Sequence, residues 1–362
     1  MAEETIDLSE EFGEVRREEQ LDWTKLQEYL RGRLPGAEKR LEVKQFRGGH
    51  SNLTYLMRFD GQEWVMRRPP FGPLPVGGHD MAREYKVLGR LWKVFKPAPR
   101  AVLFCDDTSI VGAPFFVMER RSGIVIQNRR PFPKELPTAP ASLKSLSEGF
   151  IDAAADLHGV DYKAIGLEDL GKPDGFLARQ INGWMKRWEA AKTREVPLME
   201  KLGAWFIEHL PPPQSPTIIH NDFYLHNIML DPEHPGNVVG VFDWEMSTLG
   251  DPLVDVGIAL NYWRDKSDPP ELLMGETPTL MPGFLTRDQL VERYAKRTGR
   301  DLNRIAFYWA WAHWKNATVI EQIYVRFVRG QTNDPRFKQM GGQAPALAHA
   351  AARVASSLGF RE

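Results

Sequence analysis

Apolar positions change their period once along the 362-residue chain. Up to residue 118 they mostly alternate, which is the signature of half-buried strands. Leu41-Glu42-Val43-Lys44-Gln45-Phe46 alternates, Gly48-Gly49 interrupts, and residues 53–59 resume. Asp60-Gly61 is a hairpin signal leading into a further strand at residues 63–67. Ala101–Cys105 and residues 114–118 read as two more. Helical spacing enters at residues 22–33, through Trp23, Leu26, Tyr29 and Leu30, and Pro35-Gly36 ends it. It returns at residues 81–92, with Tyr85, Leu88 and Leu91 inward. The pattern predicts a small antiparallel sheet carrying one helix.

Past Gly123 the spacing turns helical at residues 143–158, 175–191, 197–210, 252–263, 287–298, 302–328 and 344–357, with Thr286 as a cap. Residues 217–219 and 238–242 interrupt this as short buried strands, with a hairpin and its turn at residues 228–236 between them. The expected organisation is an acidic, mobile tail over residues 1–20, a β-rich unit over 21–119 and a helical unit over 120–362.

Composition narrows the class. With 42% apolar and 26% charged residues, the chain is an ordinary globular protein. A net charge of −1 provides no field to attract nucleic acid or an anionic membrane. No tract of 18 apolar residues exists, so no membrane-spanning helix is expected. The N-terminus lacks the basic and apolar regions of a signal peptide. The single cysteine, Cys105, excludes an intrachain disulfide framework and fits a reducing cytoplasmic setting.

Chemistry concentrates in His220-Asn221-Asp222-Phe223-Tyr224-Leu225-His226-Asn227 and in Asp243-Trp244-Glu245. Asp222, Asn227 and Asp243 are expected to converge at the ends of neighbouring strands and turns. Three hard oxygen groups there suit a divalent cation, and a carboxylate beside it can take a proton. His-x-Asp, four residues, then Asn, with a second Asp after a strand, matches the catalytic-loop pattern of protein kinases. Together with Gly250-Asp251-Pro252 and Asp255, this stretch resembles the aminoglycoside phosphotransferase and choline kinase branch of kinase-like proteins. Within that branch it looks most like the phosphotransferase domain associated with acyl-CoA dehydrogenases. The resemblance implies an α+β, protein-kinase-like two-lobe fold, with a small antiparallel β lobe and a larger, mainly helical lobe.

The resemblance also implies roles. Gly48, Gly49, Ser51 and Asn52 would form a glycine-rich nucleotide loop whose backbone N–H groups approach phosphate. Arg67 stands where such enzymes normally carry a lysine for the α- and β-phosphates, and Glu84 is its natural partner. Met118, Glu119 and Arg120 would be the hinge that holds the base through backbone groups. Asp222 would orient a hydroxyl and receive its proton, while Asn227 and Asp243 would hold Mg²⁺. His220, Glu245 and Asp251 would support the loop. Met118 and its neighbours equally suit a core strand, Arg67 a solvated strand end and Glu84 a solvent-facing helix charge.

The implied activity is transfer of the γ-phosphate of ATP or GTP to a hydroxyl of a small molecule. Aminoglycosides are polycations, and the helical segments hold no dense acidic cluster. They hold basic groups instead: Arg129, Arg130 and Lys134, then Lys186 and Arg187, then Arg326 and Arg329. An anionic or CoA-bearing acceptor is therefore preferred, a hydroxyacyl-CoA as the resemblance implies. A choline-like or aminoglycoside alcohol, a non-catalytic nucleotide-binding module, and a metallohydrolase built on His220, Asp222 and His226 are the competing readings. Trp184, Trp188, Trp309, Trp311 and Trp314 sit at helical spacing and are expected mainly in the core.

Overall fold

Alternation in the first third of the chain becomes a six-stranded antiparallel sheet. The computed structural model describes residues 11–47, 52–72, 79–127, 131–273, 277–330, 337 and 339–362. The chain divides into two units: residues 1–123 with 239–245, and residues 124–238 with 246–362.

In the first unit the strands are β1 (Phe12–Gly13), β2 (Leu41–Phe46), β3 (Leu53–Phe59), β4 (Gln62–Arg68), β5 (Ala101–Cys105) and β6 (Phe115–Glu119). They lie in the order β1-β2-β3-β4-β6-β5. The β3–β4 hairpin closes on Asp60 and Gly61, at φ 49° and 86°. A two-residue turn with both central φ values positive matches the twist of the flanking strands, which is why Asp-Gly fixes the register. One sheet face packs on α1 (Trp23–Leu30), burying Leu26, Leu30, Tyr55, Met57, Phe59, Phe115 and Val117. Asp22 caps α1 by accepting from Lys25 N at 2.9 Å. Helix α2 (Met81–Leu91) buries Met81, Glu84, Val87, Leu88 and Leu91, so the one carboxylate on that stripe points inward. Tyr85, expected inward, is half-buried and stacks on Phe104. A short α3 (Thr108–Val111) follows β5.

The expected mobile tail does not reach residue 20. Phe12 pairs with Phe46, Arg16 N donates to Gln45 Oε1 at 3.0 Å, and Tyr55 Oη donates to the Glu19 carbonyl at 2.8 Å. Phe12, buried amid acidic neighbours, is the anchor. The boundary also differs. The first unit runs to Gly123 and takes in residues 239–245. Val241 N donates to Pro97 O at 2.9 Å, and the Trp244 ring meets Phe95 edge-on at 6.1 Å.

The second unit begins with β7 (Ile124–Val125) and continues through helices α4 (Pro140–His158), α5 (Phe176–Ala191) and α6 (Pro197–Glu208). Then come β8 (Thr217–Ile219) and β9 (Ile228–Leu230), while β10 (Val238–Val241) starts in this unit at Val238 and passes into the first at residue 239, and β11 (Thr248–Gly250) belongs to the second again. Helices α7 (Leu253–Tyr262), α8 (Arg287–Thr298), α9 (Ile305–Val328) and α10 (Gln343–Ser356) complete it. β8 pairs antiparallel with β11, and β7 with β9. Thr286 caps α8 in a reciprocal capping box with Gln289. α9 is the axis of this unit: Trp311 and Trp314 are fully buried on it, and α7 and α10 pack along it. Trp184 and Trp188 are core as well, whereas Trp309 is half-buried. Among the described residues no helix is long and apolar enough to cross a membrane.

Candidate active site

β4 and α2 place the first cluster. Arg67, next to last in β4, is buried between two carboxylates: its Nε lies 3.4 Å from Glu84 Oε2, and its Nη2 donates to Asp243 Oδ1 at 3.0 Å. Burial alone lowers a guanidinium's proton affinity, but Glu84 and Asp243 outweigh it and raise Arg67. Glu84 is pushed up to about 7, by burial first, with Asp243 and Glu245 adding to it against the pull of Arg67 and a Trp244 backbone N–H. Asp243 adopts φ 71°, a left-handed conformation tolerated by Asp, and its side chain remains 32% exposed. Two residues on, Glu245 accepts from Asn52 Nδ2 at 2.8 Å, and Asn52 Oδ1 lies 2.7 Å from His79 Nδ1. Burial and Asp243 raise Glu245 too. Glu84, Asp243 and Glu245 thus all act on Arg67, with His79 Nδ1 3.9 Å from Glu245 Oε2.

The expected hinge is held by the sheet. Met118 is buried, and Glu119 N donates to the Arg100 carbonyl at 3.0 Å. Glu119 Oε1 accepts from Arg100 N at 2.9 Å, and Arg120 Nη2 donates to Glu11 Oε2 at 2.7 Å. Both side chains are thus engaged within the first unit. Gly48, Gly49 and Ser51 lie outside the described residues, as do Arg129 and Arg130.

The second cluster belongs to the second unit and grows from the end of β8. Asp255, fully buried on α7, accepts from the backbone N–H of His220 at 2.7 Å and of Asn221 at 2.6 Å. His158 Nε2 reaches the same carboxylate at 3.1 Å, while its Nδ1 lies 2.7 Å from the Tyr294 hydroxyl. Asn221 turns at φ 64°, so the chain reverses and presents Asp222. Asn227 Nδ2 donates to the Asp222 carbonyl at 2.9 Å and to its Oδ2 at 3.3 Å. With its nitrogen committed there, the Asn227 amide oxygen is the atom suited to a cation. Asp251 accepts from the Tyr308 hydroxyl at 2.7 Å, from Leu253 N at 3.0 Å and from Gln214 N at 3.2 Å. It anchors α7, while Asp255 grips the loop. Among the described residues no three His, Cys, Asp or Glu side chains gather to hold a metal, so a metallohydrolase on His220, Asp222 and His226 finds no support. His226 packs edge-on against Tyr224 at 5.2 Å, and burial pushes it down to about 4.

The sequence reading missed Lys315. It is buried on α9, and its Nζ donates to the Asn221 carbonyl at 3.1 Å, with Trp184 and Trp311 rings on either side at 5.5 and 5.7 Å. A lysine one helical turn past Trp311, on a stretch expected in the core, was the available signal.

Residues 42–308 match the model of the phosphotransferase enzyme family. The chain belongs to that family. Acyl-CoA dehydrogenase family member 10 of Mus musculus is 31% identical over 352 residues, which is 96% of this chain and 32% of that protein. Acyl-CoA dehydrogenase family member 11 of Gallus gallus is 29% identical over 359 residues, 96% of this chain and 45% of that protein. The chain thus spans less than half the length of these curated relatives. Among solved structures, a protein of Ralstonia eutropha JMP134, provisionally named an aminoglycoside phosphotransferase, superposes with a TM-score of 0.79 at 30% identity, covering 93% of this chain and 99% of that one. A thermostable mutant of aminoglycoside phosphotransferase APH(4)-Ia, in complex with AMP-PNP and hygromycin B, gives 0.55 at 16% identity, covering 91% and 99%, a likeness of fold alone. The fold is α+β and protein-kinase-like.

Proposed function

We propose that the chain transfers the γ-phosphate of ATP or GTP to a hydroxyl of a small molecule, with Asp222 as the catalytic carboxylate. The observation that carries this reading is the Asp222–Asn227 pair on a loop fixed by Asp255. An aspartate held this way can orient an acceptor hydroxyl and take its proton. The acceptor oxygen bonds to the γ-phosphorus as the bond from that phosphorus to the β–γ bridging oxygen breaks. The diphosphate leaves with the electron pair, and the acceptor proton passes to Asp222. Positioning and charge neutralisation supply most of the acceleration in such transfers.

Asn227 and Asp243 are the proposed Mg²⁺ ligands. The reading is supported by the Asn227 amide oxygen, whose nitrogen is committed to Asp222, and by the Asp243 carboxylate, which stays 32% exposed. Magnesium, when bound, supplies neutralisation of phosphate charge. Arg67 clamps phosphate in place of the usual lysine, with Glu84 holding the guanidinium. Asn52 is assigned to nucleotide binding, as are Gly48, Gly49 and Ser51, which lie outside the described residues, and the backbone at Met118 to Arg120 is assigned to the base. His220, Glu245 and Asp251 support the site.

For the acceptor, the reading prefers an anionic molecule of the hydroxyacyl-CoA kind. Support comes from relatives named as acyl-CoA dehydrogenase family members. An aminoglycoside or choline-like alcohol is the alternative, and the stacked Tyr224–Tyr262 pair, centroids 4.3 Å apart, is the aromatic surface it would use.

The test is the thermal midpoint with Mg-ATP and Mg-GTP, for the wild type and for Asp222→Asn. A ligand that binds only the folded state raises the midpoint. The reading expects a magnesium-dependent shift in both proteins and turnover in the wild type alone. No shift with either nucleotide, or undiminished turnover in Asp222→Asn, overturns it.

A further inference from the structure

Behind the catalytic loop the second unit holds a cluster that the chemistry above leaves unused. Arg287 is fully engaged: it grips Asp268 bidentately at 2.9 and 2.5 Å, donates from Nε to the Leu260 carbonyl at 3.1 Å, and lies over the Trp309 ring at 4.6 Å. Around it, three buried nitrogens have no hydrogen-bond partner: Arg264 Nη1, Trp309 Nε1 and His313 Nδ1. Trp309 and His313 lie one turn apart on α9, ring centroids 5.8 Å apart. Arg264 and Arg287 both act electrostatically on His313, as does Arg353. Burial and these three cations hold the imidazole far below its ordinary range, so it is neutral. Of the two carboxylates near Arg287, Asp268 is already spent on its guanidinium, and Asp265 accepts from Ser267 N at 3.0 Å.

An unmatched buried donor is costly, and here Arg264 Nη1 and Trp309 Nε1 are two such donors, with His313 Nδ1 a third in one tautomer, in a region of excess positive charge. Water would satisfy the donors but would leave the charge. An oxyanion satisfies both. We infer that Arg264, Trp309 and His313 form an oxyanion seat that takes the carboxylate or phosphate of the phosphoryl acceptor.

Its position relative to the catalytic loop fits. Tyr262, two residues before Arg264, stacks on Tyr224 of the loop and donates to Asn316 Oδ1 at 3.2 Å. Asn316 lies three residues past His313 on α9, about 4.5 Å along the axis. Tyr262 interacts electrostatically with both Asp222 and Arg264, so the seat and Asp222 are neighbours of one aromatic pair. Arg264 and Trp309 are half-buried, which leaves the seat a way in. This inference rests on the phosphotransfer reading for the role of the anion, though not for its binding.

Calorimetric titration of the full chain with sodium 3-hydroxybutyrate, inorganic phosphate and coenzyme A tests it, with choline as the cationic control. Arg264→Met keeps the side-chain stem, and Trp309→Phe keeps the ring but removes the N–H. At least one anion should bind the wild type, roughly tenfold more weakly in Arg264→Met and a few-fold more weakly in Trp309→Phe. The Mg-ATP midpoint shift should be unchanged in both variants. Preference for hydroxybutyrate assigns a carboxylate, and preference for phosphate or coenzyme A assigns a phosphate. Equal anion affinity in all three proteins, or choline bound in place of anions, overturns the seat. Anion binding that falls in Arg264→Met without any Mg-nucleotide shift would keep the seat and remove the kinase reading. The converse would keep the kinase and remove the seat.

Discussion

Lys315 Nζ donates to the Asn221 carbonyl oxygen at 3.1 Å, and so pins the residue before Asp222, the proposed catalytic aspartate. Its ammonium is buried, and burial lowers its proton affinity, against which Asp222 and Asp255 pull upward. Asn221 holds φ 64°, a conformation that costs an L-residue about 1 kcal/mol. Lys315 therefore contributes to the orientation of Asn221 and to the field at Asp222. Lys315→Met keeps volume and removes the charge. We expect kcat to fall about ten- to a hundredfold while KM for nucleotide stays within about twofold. A rise in KM with unchanged kcat would refute the positioning role.

Asp255 is the second support of the same loop, through two backbone N–H groups and His158. Asp255→Ala strands all three donors in a fully buried site, and roughly 3–5 kcal/mol of unfolding free energy should be lost. Asp255→Asn retains one acceptor oxygen, so it should fold and lose activity chiefly in kcat. Denaturant titration of both variants, with kinetics on the second, decides the matter.

How far the chain could be read in advance depended on whether a signal was local. Asp60-Gly61 and Thr286 carry their geometry in their own backbone requirements, and both turned out as their chemistry demanded. Glu84 was ambiguous because a charge at helical spacing reads as solvent-facing. Met81, Val87, Leu88 and Leu91 on the same stripe show that it faces inward. Residues 239–245 join the first unit through partners more than 140 positions away, Pro97 and Arg67 among them, and no periodicity registers such contacts. The motif Asp222, Asn227, Asp243 was plain in the sequence. Its supports, Lys315 and His158, come from helices whose own pattern says only that they are core.

Gly257 on α7 packs directly against the α9 backbone. A Cβ there would lie 2.6 Å from the backbone carbon and oxygen of Tyr308, atoms that cannot yield without moving a helix. Gly257→Ala gains about 1 kcal/mol of helix propensity but must separate the two helices, so a net loss of about 2 kcal/mol is expected. Gly89 on α2 has nothing within 4 Å of its Cβ position. Gly89→Ala should stabilise by about 0.5–1 kcal/mol. Opposite signs in paired denaturant titrations are the result to look for.

Glu84 should make stability depend on pH in an unusual direction for a carboxylate. Its affinity for a proton is raised from 4.5 to about 7 on folding, by burial and by Asp243 and Glu245. Between those values the folded chain holds a proton that the unfolded chain releases, so stability falls as pH rises through the window and levels off above it. At about 1.4 kcal/mol for each tenfold change in proton affinity, the span corresponds to roughly 3 kcal/mol. Glu84→Gln cannot ionise and should flatten this slope. The same variant strips Arg67 of one of its two carboxylates, so nucleotide affinity should weaken severalfold at pH 8, where wild-type Glu84 is charged, and differ little at pH 5.5. Unfolding curves at pH 5 and 8, with nucleotide titrations at both ends, separate the two effects. A wild-type protein equally stable at both pH values would show that Glu84 is ionised throughout.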